Sequence, residues 1–208
     1  MIMELEKLVE RIEGIEGDRI FVAIAGAPAN GKSTIAEAIV TLINGKEPGS
    51  AAVLGMDGFH FDDSILKARG HLARKGSPHT FDVVGFHQLL KRLAKNDEVE
   101  IAIPIFDREL ELSRNAASLI PQSVKTIIIE GNYLLLDDPN WAPLREIYNL
   151  TIMLNIPIEE VWTRLQNRWR ALNYSAKDIT EKIEGNDLIN AQLVINNSVD
   201  ADIFIENV

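Results

Sequence analysis

The sequence has no cysteine, so it can form no disulfide and perform no thiol chemistry. It also lacks any run of about eighteen apolar residues, the length that a membrane-spanning helix needs. Glu4, Glu6 and Glu10 lie among its first residues, whereas a secretory signal begins with a basic segment and continues with an apolar one. These absences predict a cytoplasmic protein with no membrane partner.

Positive charge is scarce as well. The chain carries 21 Lys and Arg residues against 31 Asp and Glu residues, which gives a formal net charge of −10. A protein that binds a nucleic-acid backbone needs a basic face to displace counterions, so this balance predicts no nucleic-acid partner. A few clustered basic side chains can still hold a small anion, because steering depends on the local field.

The composition is that of one folded domain. Hydrophobic residues make up 46% and charged residues 25% of the 208 positions, as in ordinary soluble proteins. We therefore expect a single domain over residues 1–208, with an amino-terminal helix within residues 1–19. Ile2, Leu5, Val9 and Ile12 recur at helical spacing in that helix, which ends near residue 14.

Segments with the apolar pattern of strands alternate with segments that have helical periodicity. We predict strands over residues 21–25, 51–56, 99–106, 124–129, 150–154 and 201–205. We predict helices over residues 2–13, 34–44, 83–95, 158–171, 176–184 and 187–196. This alternation predicts an α/β fold of three layers, a mostly parallel sheet with helices on both faces. The polar segment 58–82 is predicted to be a functional loop region.

One stretch, G-A-P-A-N-G-K-S at residues 26–33, fits the pattern G-x-x-x-x-G-K-[ST] and lies between a predicted strand and a predicted helix. In this context the backbone N–H groups cradle phosphates, Lys32 reaches the β- and γ-phosphates, and the Ser33 hydroxyl can bind Mg²⁺. The positive end of the helix adds to the attraction. The predicted nucleotide-binding residues are Gly26, Ala27, Pro28, Ala29, Asn30, Gly31, Lys32, Ser33 and Thr34.

Two carboxylates end predicted strands and should meet this loop on one edge of the sheet. Glu130 follows a β-branched strand of Walker B form, so we assign it to Mg²⁺, directly or through water. Asp57 ends the strand over residues 51–56. Phosphoryl transfer requires a group that takes the proton of the acceptor, and Asp57 is our candidate for that base, with a metal ligand as the alternative. For both Asp57 and Glu130, the alternative is an acid that only caps a helix.

Arg164 and Arg168 lie four residues apart on the predicted helix 158–171, hence on one of its faces. They could close over a transferring phosphate, as part of a lid at about residues 164–180. The alternative is an ion pair on the helix surface, because Glu160 precedes Arg164 by four residues.

All four histidines fall between residues 60 and 87. His71, His79 and His87 are too widely spaced for a local pair of metal ligands, and no cysteine joins them, which argues against zinc. His60, near Asp57, is a candidate for a hydrogen bond to the acceptor.

Together these segments resemble the phosphoribulokinase/uridine kinase/pantothenate kinase superfamily, over about residues 20–206. Within it the sequence is most similar to bacterial fructose transport system kinases. The motifs that carry the resemblance are G-x-x-x-x-G-K-S, D-G-F-H at 57–60, R-K-G-S-P at 74–78, T-F-D at 80–82, P-I-F-D-R at 104–108 and E-G-N-Y-L-L-L at 130–136.

The resemblance implies a P-loop NTPase fold, ATP and Mg²⁺ as cofactors, and a small-molecule hydroxyl acceptor. It also implies Asp57 as the base, Glu130 near the metal, and Arg164 and Arg168 as catalytic lid residues beside Lys32. By motif position the acceptor is expected to contact Asp57, Phe59, His60, Arg74, Lys75, Arg108, Asn132 and Tyr133.

The identity of the acceptor stays open at this stage. The D-G-F segment resembles that of pantothenate kinases, whereas uridine kinases carry a serine before the aromatic residue. We expect a sugar-like or related metabolite, with a nucleoside or pantothenate as the alternatives. The resemblance is compatible with a homodimer.

Two functions of another class compete with a kinase. Asp82-Val83-Val84-Gly85 matches the D-x-x-G motif of regulatory GTPases, but no apolar strand precedes it and no N-K-x-D motif occurs in the chain. A nucleotide-binding module without turnover is the second competitor.

Overall fold

The computed structural model describes residues 2–206, with side chains from residue 5 onward. Its centre is a five-stranded parallel sheet with the strand order β2-β5-β1-β6-β7. These strands are β1 (Ile20–Gly26), β2 (Ala51–Gly55), β5 (Thr126–Gly131), β6 (Leu150–Asn155) and β7 (Ile203–Glu206). All five coincide with predicted strands to within a few residues. The mostly parallel sheet is therefore confirmed.

Helices cover both faces of this sheet. They are α1 (Ile2–Glu13), α2 (Lys32–Lys46), α3 (Asp63–Ala68), α4 (Val83–Lys95), α5 (Ile158–Ala171), α6 (Ala176–Lys182) and α7 (Leu188–Asn197). The side chains of β1 alternate between two cores. Phe21 and Ala23 join one core with α4, whereas Val22 and Ile24 join the other with α1 and α2. Every residue of β1 is buried, as expected of a strand covered on both faces.

The prediction for residues 99–106 was correct as a strand but wrong about its place. Strand β3 (Glu100–Asp107) lies outside the parallel sheet and pairs antiparallel with β4 (Leu112–Pro121), which we did not predict. The register shifts between Ile103 and Ile105, at Pro104, because proline has no N–H to offer to the ladder. The hairpin that results projects over the carboxyl edge of the sheet and contacts residues 56–59.

The predicted helices at 176–184 and 187–196 form one continuous helical segment. A π-helical turn, Ile183–Asp187, joins α6 to α7. Such turns frequently mark functional sites, and this one lines the cavity described below. The apolar contact predicted for Ile2 lies outside the described side chains. No helix in the described chain is long and apolar enough to cross a bilayer.

A buried arginine ties several elements together. Arg19, just before β1, donates to the carbonyl oxygens of Val124 (2.8 Å), Leu93 (3.0 Å), Pro121 (3.0 Å) and Gln122 (3.0 Å). It joins the end of α4 to the connection between β4 and β5. Because Arg19 is only 7% exposed, these carbonyls replace its water shell.

Candidate active site

The phosphate loop, residues 26–33, joins β1 to α2. Gly26 is required there, because a Cβ at this position would lie 2.0 Å from Asn30 Nδ2 and 2.6 Å from the carbonyl oxygen of Leu154. Asn30 Nδ2 donates to that oxygen at 2.9 Å, which ties the loop to the end of β6. Gly31 caps α2 with φ 90°, a conformation that favours glycine. The spacing of the motif thus fixes the shape of the loop.

Lys32 points back into the loop. Its ammonium group donates to the carbonyl oxygens of Gly26 (3.0 Å) and Ala27 (2.8 Å) and to Oδ1 of Asn30 (3.0 Å). Burial lowers the pKa of Lys32 to about 8, although the carboxylates of Glu130 and Asp57 oppose that shift. The loop therefore holds a cation that gains from an incoming polyphosphate.

The two predicted carboxylates meet at the edge of the sheet, as the sequence indicated. Glu130 in β5 pairs in register with Gly55, the last residue of β2, and Asp57 follows two residues further on. Burial raises the pKa of Glu130, and the charge of Asp57 raises it further, against the effect of Lys32. The nearby Ser33 side chain lowers the pKa of Glu130.

The basic neighbours of Asp57 lower the pKa of its carboxyl group. Burial alone would raise its pKa, but His60 and then Arg108 lower it more, so that the net shift is downward. Arg108 Nη2 lies 2.7 Å from Oδ2 of Asp57. This guanidinium comes from the end of the β3–β4 hairpin and fixes the orientation of the carboxylate.

His60 is a neutral ring in an aromatic setting. Its ring centroid lies 4.0 Å from that of Phe81 and 4.8 Å from that of Phe106. Burial lowers its pKa, with partial compensation from Asp57. Its Nδ1 lies 2.8 Å from the main-chain oxygen of Asp57, and because a carbonyl only accepts, Nδ1 carries the proton. Nε2 is left as an acceptor for a ligand hydroxyl.

A cavity of about 600 Å³ opens beside Asp57. Its size suits a small metabolite. The predicted residues that line it are Pro28, Asp57, His60, Arg74, Lys75, Arg108, Asn132 and Arg168. Residues that we did not predict also line it: Phe106, Glu111, Trp169, Tyr174, Lys182, Asn186, Asp187 and Asn190. Trp169 and Tyr174 lie within the predicted lid segment, so its position in the sequence could have indicated them.

Two residues that we expected to contact the acceptor do not line the cavity. The Phe59 ring packs against Phe86, with the centroids 4.6 Å apart, and is absent from the cavity wall. Tyr133 is fully buried, and its hydroxyl donates to the carbonyl oxygen of Gly76 at 2.6 Å. Tyr133 therefore supports the loop that carries Arg74 and Lys75. Contact of either residue with the acceptor stays a prediction.

The two lid arginines differ in position. Arg168 lines the cavity near Arg108 and Asp57, and burial lowers its pKa. Arg164 Nε lies 2.8 Å from Glu160 Oε1, the helix ion pair that we considered as the alternative, and Arg164 does not line the cavity. Its catalytic role stays a prediction.

The predicted lid segment is held to the helical segment behind it. Trp169 Nε1 donates to Asp187 Oδ2 at 2.7 Å, and Lys182 lies 4.6 Å from the Trp169 ring and 4.8 Å from the Tyr174 ring. Burial raises the pKa of Asp187, whereas the Trp169 hydrogen bond and nearby cations lower it. The lid thus presents aromatic and charged groups to the cavity.

The oxygen groups around Ser33 fit a magnesium ion. Mg²⁺ prefers hard oxygen ligands, and protein sites for it use one or two carboxylates together with phosphate oxygens and water. The Ser33 hydroxyl, the Glu130 carboxylate and the nearby Asp57 carboxylate offer such a set beside the loop. The repulsion that raises the pKa of Glu130 is the kind that a divalent cation relieves.

The GTPase-like motif has a structural explanation. Asp82 is the residue before α4, and its Oδ1 accepts from the N–H of Gly85 at 2.9 Å. This is a helix cap, which the spacing of D-x-x-G reproduces without a nucleotide.

Comparison with known proteins identifies the family. The sequence profile of the Phosphoribulokinase / Uridine kinase family matches residues 21–208. A candidate uridine kinase of Schizosaccharomyces pombe is 29% identical over 199 residues, which cover 90% of this chain and 83% of that protein. YggC, an uncharacterized protein of Escherichia coli K12, is 30% identical over 190 residues, which cover 90% of this chain and 78% of YggC.

A solved structure agrees over nearly the whole chain. The crystal structure of a candidate fructose transport system kinase from Silicibacter sp. TM1040 superimposes with a TM-score of 0.89 at 34% identity, over 98% of this chain and 97% of the other. Its fold confirms the P-loop kinase architecture. The chain therefore belongs to the Phosphoribulokinase / Uridine kinase family, and it is an ATP-using phosphotransferase with a small-molecule hydroxyl acceptor.

Proposed function

We propose that the protein transfers the γ-phosphoryl group of ATP to a hydroxyl of a sugar-like metabolite bound in the cavity. One observation carries this proposal. Asp57, an ionised carboxylate on the cavity wall, is also close enough to Lys32 in the phosphate loop to shift its pKa. A proton acceptor thus stands between the nucleotide site and a pocket for a second substrate, as phosphoryl transfer requires.

The proposed reaction uses the residues in distinct roles. The loop amides and Lys32 bind the phosphates of ATP. Asp57, oriented by Arg108, accepts the hydroxyl proton while the acceptor oxygen bonds to the γ-phosphorus and the bond from that phosphorus to the bridging oxygen of ADP breaks. Arg168 offers positive charge to the transferring group. Ser33 and Glu130 would hold Mg²⁺, which neutralises phosphate charge when bound.

The polarity of the wall supports an acceptor rich in hydroxyls. His60 and Asn132, together with the asparagines of the π-helical turn and α7, offer neutral donors and acceptors, and the rings of Phe106 and Trp169 offer flat apolar surfaces. The names of the relatives differ in substrate, uridine for one and fructose transport for another. A nucleoside is therefore one alternative acceptor, and pantothenate is another, as the resemblance of the D-G-F segment implies.

The test is acceptor-dependent release of ADP. The purified protein is incubated with ATP or GTP, with and without Mg²⁺, and with sugars, polyols, sugar acids, nucleosides or pantothenate. We expect ATP consumption that depends on Mg²⁺ and on a sugar-like acceptor. Turnover with a nucleoside or pantothenate alone would establish the alternative. GTP hydrolysis without an acceptor, or nucleotide binding without turnover across the panel, would contradict the proposal.

A further inference from the structure

Arg74 lines the cavity and has only uncharged hydrogen-bond partners. Its Nε lies 3.2 Å from Ser77 Oγ, its Nη2 lies 3.3 Å from Asn190 Oδ1, and its Nη1 lies 3.5 Å from the carbonyl oxygen of Gly185. Within the described side chains, residues 5–206, no carboxylate forms an ion pair with Arg74. A full positive charge therefore faces the cavity without a counterion from the protein.

The remaining cations of the wall interact with carboxylates or with aromatic rings. Lys75 Nζ lies 2.7 Å from Asp63 Oδ1, and Arg108 lies 2.7 Å from Asp57. Lys182 lies against the two aromatic rings of the lid and acts on Asp187. Arg168 interacts electrostatically with Asp57 and Asp187. Arg74 is thus a cation of the wall whose charge is left for a ligand.

A neutral network holds Arg74 in place. Ser77 and Asn190 are 1% and 2% exposed, and Ser77 Oγ donates to Asn190 Oδ1 at 3.1 Å. Asn190 Nδ2 donates to Asn186 Oδ1 at 3.2 Å, and Asn186 Nδ2 donates to the carbonyl oxygen of Lys75 at 2.8 Å. These amides and hydroxyls position the guanidinium and leave its charge uncompensated, which is the arrangement expected of an anion-binding arginine.

The geometry of the free donors indicates the ligand. An arginine has five N–H groups, and the three contacts use one each on Nε, Nη1 and Nη2. One N–H on each terminal nitrogen remains for a ligand, and a guanidinium with free N–H groups binds the oxygens of a carboxylate or a phosphate.

We propose that the acceptor carries an anionic substituent, a carboxylate or a phosphate monoester, and that Arg74 binds it while the reacting hydroxyl faces Asp57. Both residues line the same cavity of about 600 Å³, so one small molecule can contact both. The inference rests on the proposed function and restricts its acceptor to sugar acids, sugar phosphates and similar hydroxylated anions.

The first measurement compares acceptors in pairs with a shared skeleton: glycerol with glycerate and glycerol 3-phosphate, and a hexose with its 6-phosphate and its aldonic acid. For any pair that supports ADP release, kcat/KM should be at least about tenfold higher for an anionic member, because charge-assisted hydrogen bonds contribute that much. The acid and the phosphate arms identify which anion is used.

The second measurement uses Arg74→Gln, with Arg69→Gln as the matched control. Arg69 is an exposed arginine of the same loop region, 4.6 Å from the Phe61 ring and outside the cavity. We expect Arg74→Gln to raise KM for the anionic acceptor about 10- to 100-fold with little change in kcat and no change for the neutral member. Arg69→Gln should leave both unchanged. Equal kinetics for neutral and anionic members, or an equal loss for both in Arg74→Gln, would overturn the inference.

A binding experiment separates this inference from the proposed function. With ADP and Mg²⁺ filling the phosphate loop, glycerate and glycerol 3-phosphate are titrated while tryptophan fluorescence is recorded, because Trp169 lines the cavity. Saturable binding that is lost in Arg74→Gln and kept in Arg69→Gln supports the anion site even if no acceptor of the panel is phosphorylated. Binding that does not depend on Arg74, or no binding of either anion, overturns it.

Discussion

Asp57 combines two requirements that usually conflict. A base must be ionised, yet burial disfavours the charged form of a carboxylate. Here burial raises the pKa of Asp57, and its basic neighbours, His60 in its protonated form and then Arg108, lower it below its usual value. The residue is therefore ionised at neutral pH although it is partly buried on the cavity wall.

We predict that Asp57→Asn leaves ATP·Mg²⁺ binding nearly intact and lowers kcat at least about 10²-fold, because asparagine keeps the shape but cannot accept a proton. Calorimetry measures the binding, and ADP release measures the rate. If Asp57 is a metal ligand, the Mg²⁺ concentration needed for nucleotide binding will rise along with the loss of rate. A variant with the wild-type rate would eliminate both roles.

The lowered pKa of Lys32 predicts how nucleotide binding depends on pH. Its pKa of about 8 means that the free protein loses this proton above pH 8, whereas bound phosphates stabilise the ammonium form. We predict that near pH 9 nucleotide binding takes up part of a proton and is weaker than at about pH 7, where Lys32 is already protonated.

Calorimetry in two buffers of different ionisation enthalpy measures this uptake. Lys32→Met is the control, since it should bind nucleotide more weakly and abolish the change in uptake between the two pH values. An uptake that persists in Lys32→Met would assign the proton to another group.

For individual residues, the sequence predicted the site where residues that are neighbours in the chain are also neighbours in space. The phosphate loop follows from one strand-loop-helix motif, and Asp57 and Glu130 follow from strand ends. Phe59 and Tyr133 do not line the cavity, and a motif does not tell which of two successive side chains points to the core. Asn190 was missed because it approaches Arg74 from 116 positions away.

Among the elements, α5 carries the sharpest distinction. Arg168 faces the cavity, whereas Arg164 is bonded to Glu160 one turn away. We predict that Arg168→Ala lowers kcat more than it raises KM for ATP, because a cation that meets developing charge stabilises the transition state preferentially. Arg164→Ala, a matched change on the same helix, should have an effect of less than about tenfold.

Steady-state kinetics of both variants decides between the two positions, with thermal unfolding to confirm that each is folded. A large loss of kcat in Arg164→Ala with little change in Arg168→Ala would reverse the assignment and would require the lid to rearrange around bound ATP.

The β3–β4 hairpin marks the limit of pattern analysis for elements. Residues 112–121 have the sequence L-S-R-N-A-A-S-L-I-P, which lacks regular alternation and contains Ala116 with φ 50°. Only pairing with β3 makes this segment a strand. The hairpin matters to the site, since Phe106, Arg108 and Glu111 reach the cavity from it. The central sheet, by contrast, followed directly from continuous apolar strands.

For the whole molecule, Arg19 shows how a charge can be structural. The residues next to Arg19 in the sequence do not indicate this structural role, because the four carbonyl groups that it binds lie 74 to 105 positions away. They belong to the end of α4 and to the connection that enters β5. Arg19 therefore joins the outer layer to the central strands, far from the carboxyl edge that carries the site.

We predict that Arg19→Met destabilises the protein by about 3 kcal/mol. The hydrogen bonds from a charged donor to buried carbonyl oxygens are lost, and those oxygens are left without a hydrogen-bond donor. Arg19→Lys, which keeps the charge but has no planar fork, should recover part of that loss. Urea unfolding measures both variants against Arg170→Met, an exposed position that should change stability by less than about 0.5 kcal/mol.

ATP affinity measured under native conditions should stay at the wild-type value, since Arg19 does not line the cavity. A stable Arg19→Met protein, or one with weakened ATP binding and unchanged unfolding, would contradict a purely structural role.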